Sequence, residues 1–175
     1  GNVTVNFKGR IFKADSLTYN KNTKIAKAKG NIYLKINNQI LQAENIEYDF
    51  IQNKGYFQKV KGLINTENII SDLDFQFENN EENLKYLKSI FKDKVKYTPD
   101  KVVNWIFSTE ELMINKNKWF SKKAFFTNDL LDTNQIKLQL NDLEVSPYKE
   151  RLRFKSKINY LILEDKTIIP IWFGD

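Results

Sequence analysis

Residues 14–20, ADSLTYN, recur as residues 43–49, AENIEYD, and this repeat decides the fold. The positions that match in one register of 29 residues are Ala14, Asp15, Leu17, Tyr19, Asn20 and Ala26 against Ala43, Glu44, Ile46, Tyr48, Asp49 and Gly55. A third, weaker copy lies at 109–115 and a faint fourth at 154–160. Each copy has the pattern of a strand, a turn and a returning strand. The repeat therefore predicts similar two-stranded units stacked into an elongated β structure.

Strand periodicity continues on both sides of the repeat. Apolar and polar residues alternate, as in strands with one buried face, in the segments 3–7, 32–36, 136–140 and 152–162. Asn-rich turns separate such segments, for example at 20–22, 37–38 and 115–117. Many antiparallel strands joined by tight turns predict an all-β sandwich, barrel or solenoid.

One segment departs from this pattern. From Glu78 to Asp100 apolar residues fall at helical spacing, with Leu84, Leu87 and Phe91 between charged residues. We expect one domain over 1–175, with a short helical insertion at about 78–100 that covers an open edge or end of the sheet. A lid over a functional site is the alternative.

The composition restricts the chemistry. The chain has no Cys and no His, which excludes the usual zinc sites and catalysis by Cys-His or Ser-His pairs. Glu110 and Glu111 are candidate acid–base groups, but neighbours on a strand are expected to point to opposite faces. The sequence has no Gly-rich phosphate loop, nucleophile elbow or metal-ligand cluster. We therefore expect no enzyme, no metal and no cofactor.

The net charge of +6 has two interpretations. It fits a solvated surface of mixed sign, and it fits attraction to phosphates on nucleic acid or on a lipid head group. Aromatic residues fall mostly on the apolar faces of the predicted strands, with lysines on the other face. That arrangement is typical of core packing rather than of a platform on which bases stack, so we expect no nucleic-acid partner.

The apolar strand faces are the candidate site. A closed, dry core and a ligand groove need the same side chains, so periodicity leaves both possibilities open. The predicted inward residues are Leu17, Tyr19, Ile32, Leu34, Ile36, Ile46, Tyr48, Phe107, Leu112, Ile114, Ile136, Leu138, Phe154, Ile158 and Tyr160.

The unit formed by ADSLTYN at 14–20 and AKAKGNI at 26–32 resembles the OstA repeat of lipopolysaccharide-transport proteins, as does 43–55. The later motifs are WIF at 105–107, WFS at 119–121, TND at 127–129 and IIPI at 168–171. They resemble the periplasmic part of outer-membrane assembly proteins of the LptD type, in their cyanobacterial-like form. The resemblance implies an open, folded-over β-jellyroll of antiparallel strands, of the OstA or β-taco type.

In that family lipid acyl chains travel along the apolar interior. The resemblance therefore implies that the inward residues bind lipopolysaccharide or a similar amphiphile on its way to the outer membrane. It also implies a periplasmic location, attached to or part of an outer-membrane protein whose membrane barrel follows this segment. The terminal strands are expected to dock other OstA-fold modules by strand addition, through Val3, Val5, Phe7, Ile169, Ile171 and Phe173. The alternatives are a structural periplasmic bridge with a filled core and a carbohydrate-binding jelly roll.

Overall fold

The computed structural model describes residues 2–7, 10–72, 103–129, 135–148 and 151–171. The elements are β1 (Val3–Phe7), β2 (Arg10–Ala14), β3 (Ser16–Asn20), β4 (Ile25–Ile36), β5 (Gln39–Asp49), β6 (Lys54–Asn65), α1 (Ile69–Asp72), β7 (Asn104–Asn115), β8 (Lys118–Thr127), β9 (Ile136–Tyr148), β10 (Arg151–Lys155), β11 (Asn159–Leu163) and β12 (Thr167–Ile171). The helical insertion that the sequence predicts at 78–100 lies outside the described residues.

The strands form a single antiparallel sheet. Its order is β1-β2-β4-β5-β6-β7-β8-β9-β11-β12, with β3 paired to β4 and β10 paired to β9. Two short strands, β2 and β3, thus share one edge of β4, and β10 and β11 share one edge of β9. Across the described ranges β1 and β12 do not pair with each other, so the sheet stays open and does not close into a barrel.

The 29-residue repeat is confirmed as a structural unit of two strands. Tyr19 and Tyr48, which match in the repeat, lie on either side of Ala26 in the register of β3, β4 and β5. The side-chain oxygen of Asn20 accepts two N–H bonds from its turn, at 2.9 and 3.1 Å. The carboxylate of Asp49 does the same, at 2.8 and 2.9 Å. Equivalent positions of the repeat therefore build the same turn.

The long strands change phase near their middles. Left-handed backbone occurs there at Gly30 (φ 73°), Asn31 (φ 46°), Lys59 (φ 50°) and Asp142 (φ 49°). In β7 the buried positions are 107, 109, 112 and 114, so the alternation slips by one residue between 109 and 112. This line of irregularities across the sheet is termed the crease. Because a β-bulge bends its strand, a line of them bends the whole sheet.

The crease folds the sheet over on itself. Phe126 is in register with Leu138 of β9, and Phe154 is in register with Val145 of the same strand. Seven residues of extended strand span about 23 Å. The rings of Phe126 and Phe154 nevertheless meet edge to face, with their centroids 6.3 Å apart. Strand β9 therefore doubles back near Asp142, and the predicted open, folded-over, all-β jelly roll is confirmed.

Burial holds the fold at the crease. The first buried cluster is Ala14, Ala28, Ile32, Ala43, Phe57, Val60, Phe107, Leu112 and Ile114, and the second is Ala124, Leu140, Leu143 and Val145. Ile32 and Val60, only 1% and 2% exposed, directly follow the left-handed residues Asn31 and Lys59. Burying an aliphatic side chain of this size contributes about 1.5–3 kcal/mol, so the bend is stabilised where it forms.

The alternation through 152–162 predicted one strand, and this prediction is wrong. The structure has two strands, β10 and β11, separated by 156–158, where the Lys157 N–H donates to the Asn141 oxygen at 3.0 Å. There the chain passes the bulge in β9, and the alternation of inward and outward side chains shifts by one residue. As a result Leu161, and not Tyr160, is in register with Leu138.

The expectation that Glu110 and Glu111 point to opposite faces is also wrong. Both side chains are exposed and line the same shallow depression on the outer face. The reason is the phase shift of β7 at the crease, which places two successive residues on one side of the strand.

Candidate functional site

An apolar cavity of about 530 Å³ lies between the two halves of the folded sheet. Its walls are hydrocarbon apart from a few polar groups. The lining residues are Val5, Arg10, Phe12, Leu17, Tyr19, Ala26, Ala28, Leu34, Ile36, Gln39, Ile40, Leu41, Ile46, Tyr48, Phe50, Phe57, Leu63, Ile64, Phe107, Leu112, Ile114 and Trp119. A space of this volume is within the range of pockets that bind small molecules.

Small residues create this space. Ala26 lies between Tyr19 and Tyr48 in the cross-strand register, and Gly55 is the next partner of Tyr48. A Cβ atom on Gly55 would lie 2.8 Å from the Tyr48 ring and 2.6 Å from the Phe57 ring. Large and small side chains thus alternate across the strands, and the rings stand over a floor of glycine and alanine.

Aromatic side chains form one mouth of the cavity. The Phe50 ring is 4.9 Å from the Tyr48 ring and 6.1 Å from the Tyr19 ring, in edge-to-face geometry. Phe50 lines the cavity and is also 52% exposed, so it bridges the interior and the solvent. Burial raises the pKa of the Tyr48 hydroxyl, and the charge of Asp49 adds to the shift. The hydroxyl therefore stays neutral at this mouth over a wider pH range than in water.

The turns at this mouth form a basic lip, defined as residues 20–24, 49–54 and 115–118. These turns are bonded to one another, because the Phe50 N–H donates to the Lys24 oxygen at 3.1 Å and the Lys116 N–H donates to the Asn53 oxygen at 2.7 Å. The lip carries one carboxylate, Asp49, and five lysines: Lys21, Lys24, Lys54, Lys116 and Lys118. Its surface charge is therefore strongly positive.

The turns at the opposite ends of the strands form an acidic lip, defined as residues 10, 37–38, 65–72, 128–129 and 164–166, because Arg10 is in register with Ile36. It carries two cations, Arg10 and Lys166, and five carboxylates: Glu67, Asp72, Asp129, Glu164 and Asp165. Asp72 is buried and holds the β4–β5 turn, accepting bonds from the Asn37 side chain at 3.1 Å and from the Gln39 side chain at 2.8 Å. The fold thus separates charges that are interspersed in the sequence.

The interior is filled beyond the cavity, from β7 to β10. Phe126 stacks on Phe107 with the centroids 6.2 Å apart and meets Phe154 on its other side. The void left between these side chains has a volume of about 30 Å³. The side chains that line both this void and the open cavity, termed the partition, are Ile64, Phe107, Leu112 and Trp119.

Most of the predicted inward residues come together in the open cavity. Nine line it: Leu17, Tyr19, Leu34, Ile36, Ile46, Tyr48, Phe107, Leu112 and Ile114. Ile32 is buried at the crease, Leu138 packs against the second cluster, and Phe154 lines the small void. Ile136 and Ile158 are exposed, and Tyr160 is in register with Gln139 instead of Leu138. Of the six residues outside the cavity, only Ile32, Leu138 and Phe154 therefore pack at the crease or in the filled part.

Several cavity residues were not predicted from the sequence, including Phe12, Leu41, Ile64 and Trp119. Phe12 and Leu41 are the register partners of Leu34 on its two sides. Pairing the strands across the turn at 37–38 would have found Leu41. No local pattern could have assigned Trp119 and Ile64 to one cavity, because the fold-over brings their two walls together.

The predicted docking strands lie at the free edges of the sheet. In the described part of the chain β1 pairs only with β2, and β12 pairs only with β11. Val3, Val5 and Phe7 are on β1, Ile169 and Ile171 are on β12, and Phe173 lies outside the described residues. Docking by these edges stays a prediction.

The outer face carries polar pairs. The Tyr56 hydroxyl donates to the Glu111 carboxylate at 2.6 Å, and this hydrogen bond raises the pKa of Tyr56. Lys59 forms an ion pair with Glu44 at 2.6 Å, and this contact raises the pKa of Lys59. Among the residues that the structure describes, no group of three or more acidic side chains could hold a metal ion. In the same residues no helix is both long enough and apolar enough to cross a bilayer.

Comparison with known families accounts for both parts of the chain. The family model described as OstA-like protein matches residues 1–103, more than half of the sequence. The chain belongs to the OstA-like family. A second family model, described as a protein of unknown function (DUF3769), matches residues 99–174. No curated protein matches the chain. The OstA-like match contains β1 to β6, which supply most of the wall of the open cavity, and the second match contains β7 to β12.

OstA-like domains are periplasmic modules of lipopolysaccharide transport and are generally not enzymes. Membership of the family therefore relates this chain to lipopolysaccharide transport, alongside other modules of the same kind.

Proposed function

We propose that this OstA-like chain is a non-enzymatic lipid-transport module that shields the acyl chains of lipopolysaccharide or a similar amphiphile in its apolar cavity. The observation that supports the proposal is the cavity itself, whose hydrocarbon wall reaches Phe50 at the basic lip and Gln39 next to the acidic lip. Apolar surface that the protein does not bury against itself is stabilised when an apolar ligand covers it.

The hydrophobic effect supplies enough driving force for this role. Each methylene group removed from water contributes about 0.8 kcal/mol, so a chain of twelve carbons contributes on the order of 9 kcal/mol. Ordering the ligand in the site offsets a large part of this sum. The remainder is suited to a module that takes up its cargo and then passes it on.

The finer placement is part of the proposal. We place the chain in the periplasmic part of an assembly protein of the LptD type, attached to or part of an outer-membrane protein. The free edges of β1 and β12 would pair with neighbouring OstA-fold modules by strand addition. Strands β6 and β7 pair along their whole length, which supports one domain over 1–175.

A second candidate is a structural periplasmic bridge, whose function is contact between its ends. The filled interior from β7 to β10 favours this alternative, since no ligand of acyl-chain size fits a void of about 30 Å³. The bridge and the conduit differ in one accessible property, which is whether the interior at β4 and β5 takes up lipid.

Photo-crosslinking tests the proposal. A photoreactive residue replaces Leu34 or Tyr48 in the cavity wall, Leu138 in the filled part, or Lys35 on an exposed position, and each variant is exposed to purified lipopolysaccharide. Adducts are expected at Leu34 and Tyr48, and not at Leu138 or Lys35. If neither cavity position forms adducts in a protein shown to be folded by circular dichroism, the bridge is the better description.

A further inference from the structure

The two lips of the cavity carry opposite charge. Of the described residues, the basic lip has five lysines and one carboxylate, whereas the acidic lip has five carboxylates and two cations, Arg10 and Lys166. We propose that the cavity holds its cargo in one orientation, with a phosphate ester of the head group on the basic lip and the acyl chain inside. This inference rests on the proposed function and adds the chemistry and the place of the head-group site.

The lysines of the basic lip are available to a ligand. Lys21, Lys24 and Lys116 are exposed, and none of them forms an ion pair with a residue that the structure describes. The lone carboxylate, Asp49, is already used, because it accepts the N–H groups of Ile51 and Gln52. No ion pair therefore neutralises these three lysines within the described structure.

The basic lip has a defined shape. The hydrogen bonds between its turns fix the backbone at Lys24 and Lys116, which both have left-handed φ values, 56° and 55°. Lys24 is bonded through its carbonyl oxygen to Phe50, a residue of the cavity wall. An acyl chain that passes Phe50 therefore brings its head group to these lysines, and little ordering of the backbone is needed.

The acidic lip is the less favourable place for a phosphate. Glu67 and Glu164 are exposed on it, and Asp165 is paired with Lys137 at 2.7 Å. Arg10 lines the cavity at this lip, but a phosphate placed there would also lie near carboxylates of like charge. Specificity is a difference between two binding free energies, so the excess of lysines at one lip and of carboxylates at the other favours a single orientation.

A matched pair of amphiphiles tests the site. Dodecyl phosphate and dodecyl maltoside share their acyl chain, and only the first is an anion. The variant Lys21→Gln/Lys24→Gln/Lys116→Gln removes three charges from the basic lip. The control Lys13→Gln/Lys29→Gln/Lys61→Gln removes three from exposed positions within strands. The lip variant is expected to bind dodecyl phosphate about tenfold more weakly at low salt, as the loss of several exposed charge contacts implies. Its affinity for dodecyl maltoside, and both affinities of the control, are expected to match the parent chain.

The outcomes separate the two proposals. If the parent chain binds neither amphiphile, the lipid-transport proposal fails, and the head-group site fails with it. If the parent binds both and the lip variant keeps its affinity for dodecyl phosphate, only the head-group site is overturned. Inorganic phosphate that binds as tightly as dodecyl phosphate would also overturn it, because the lip would then be a plain anion site. The head-group site is also overturned if the lip variant no longer sediments with phosphatidylglycerol vesicles but still binds dodecyl phosphate. In that case the lip would face a membrane.

A second measurement locates the phosphate. The chain contains no cysteine, so Gln52→Cys on the basic lip and Thr66→Cys on the acidic lip each accept a single nitroxide label. The label at position 52 is expected to broaden the phosphorus NMR signal of bound dodecyl phosphate more than the label at 66. Equal broadening, or stronger broadening from position 66, contradicts a fixed orientation.

Discussion

The interior of the folded sheet is open between β1 and β7 and filled between β7 and β10. Both regions have the same antiparallel pairing and the same crease, so the fold alone does not determine which region is open and which is filled. The difference lies in which side chains meet across the fold: Ala26 and Ala28 leave space in the wall of the open region, whereas the Phe126 ring meets the Phe107 and Phe154 rings in the filled region. One folded sheet can thus be a conduit or a core according to the residues that face inward.

The boundary between the regions is a specific piece of packing. The Phe107 ring lies over Gly62, where a Cβ atom would collide with the ring and would lie 2.9 Å from the Ile40 oxygen. The absence of a side chain at Gly62 therefore allows Phe107 to close the cavity on one side. Because the ring also stacks on Phe126, it belongs to both regions at once.

The substitution with the largest expected effect on stability removes this boundary. Phe107→Ala should destabilise the chain by about 3–5 kcal/mol, because it deletes a buried ring and leaves a hole between the two interiors. Phe50→Ala deletes a ring that is 52% exposed at the basic lip and should cost much less. Urea unfolding followed by tryptophan fluorescence measures both. Similar losses for the two variants would mean that Phe107 does not separate two differently packed regions.

A matched pair of leucines compares the regions directly. Leu143 is buried in the filled part, and Leu41 is a half-buried residue of the cavity wall. Leu143→Ala should cost about 2–5 kcal/mol, whereas Leu41→Ala should cost about 1 kcal/mol, since its side chain already borders empty space. Urea unfolding of the two variants gives the difference. If Leu41→Ala costs as much as Leu143→Ala, the cavity is filled in solution.

Replacing an alanine by leucine tests the same comparison, and a smaller loss of stability is expected. Ala124 in the filled part and Ala28 are both buried, 2% and 3% exposed, but only Ala28 lines the open cavity. Ala124→Leu should destabilise by about 1–3 kcal/mol through overpacking, and Ala28→Leu should be tolerated and should weaken the binding of dodecyl phosphate. Thermal unfolding and a binding titration on both variants test this. A large destabilisation by Ala28→Leu would show that the space beside it is not available.

Sequence patterns were sufficient for the fold class and for the open half of the site. The repeat placed Tyr19 and Tyr48 in one row, and alternation placed Leu34 and Ile46 on the inner face, because strands pair locally there and each keeps one phase on either side of the crease. Family resemblance supplied the fold-over itself. These signals are local or repeated, which is why they were visible without a structure.

The rest depended on the crease. The phase shift at Asp142 moved Tyr160 off the inner face, and no pattern within 152–162 reveals a bulge in the neighbouring strand. The lips were likewise hidden, since their charges come from turns far apart in the chain. A net charge of +6 left two interpretations, and only the fold shows that Lys21 and Lys116 lie at the same end of the sheet.

The smallest expected effect concerns the basic lip where it reaches the filled region. The Lys118 ammonium lies 2.9 Å from the Glu144 carboxylate, and this hydrogen bond lowers the pKa of Glu144 below its ordinary value. A carboxyl whose pKa is lowered by folding stabilises the protein above its unfolded pKa, and that contribution is lost as the pH falls through the folded pKa. Lys118→Gln should therefore raise the pKa of Glu144 toward the ordinary value in an NMR titration. It should also reduce stability slightly at neutral pH and not in acid.

Lys116→Gln is the control for this pair, because Lys116 has no acidic partner in the described structure. Lys116→Gln should leave the pKa of Glu144 nearly unchanged and weaken the binding of dodecyl phosphate. Lys118→Gln should raise the pKa of Glu144 and leave the binding of dodecyl phosphate nearly unchanged. Glu144 would then neutralise the charge of the lip next to the filled interior. The lysines next to the open interior would remain available to a ligand. Equal shifts from the two variants would mean that the lysines act together, and the division of the lip would not hold.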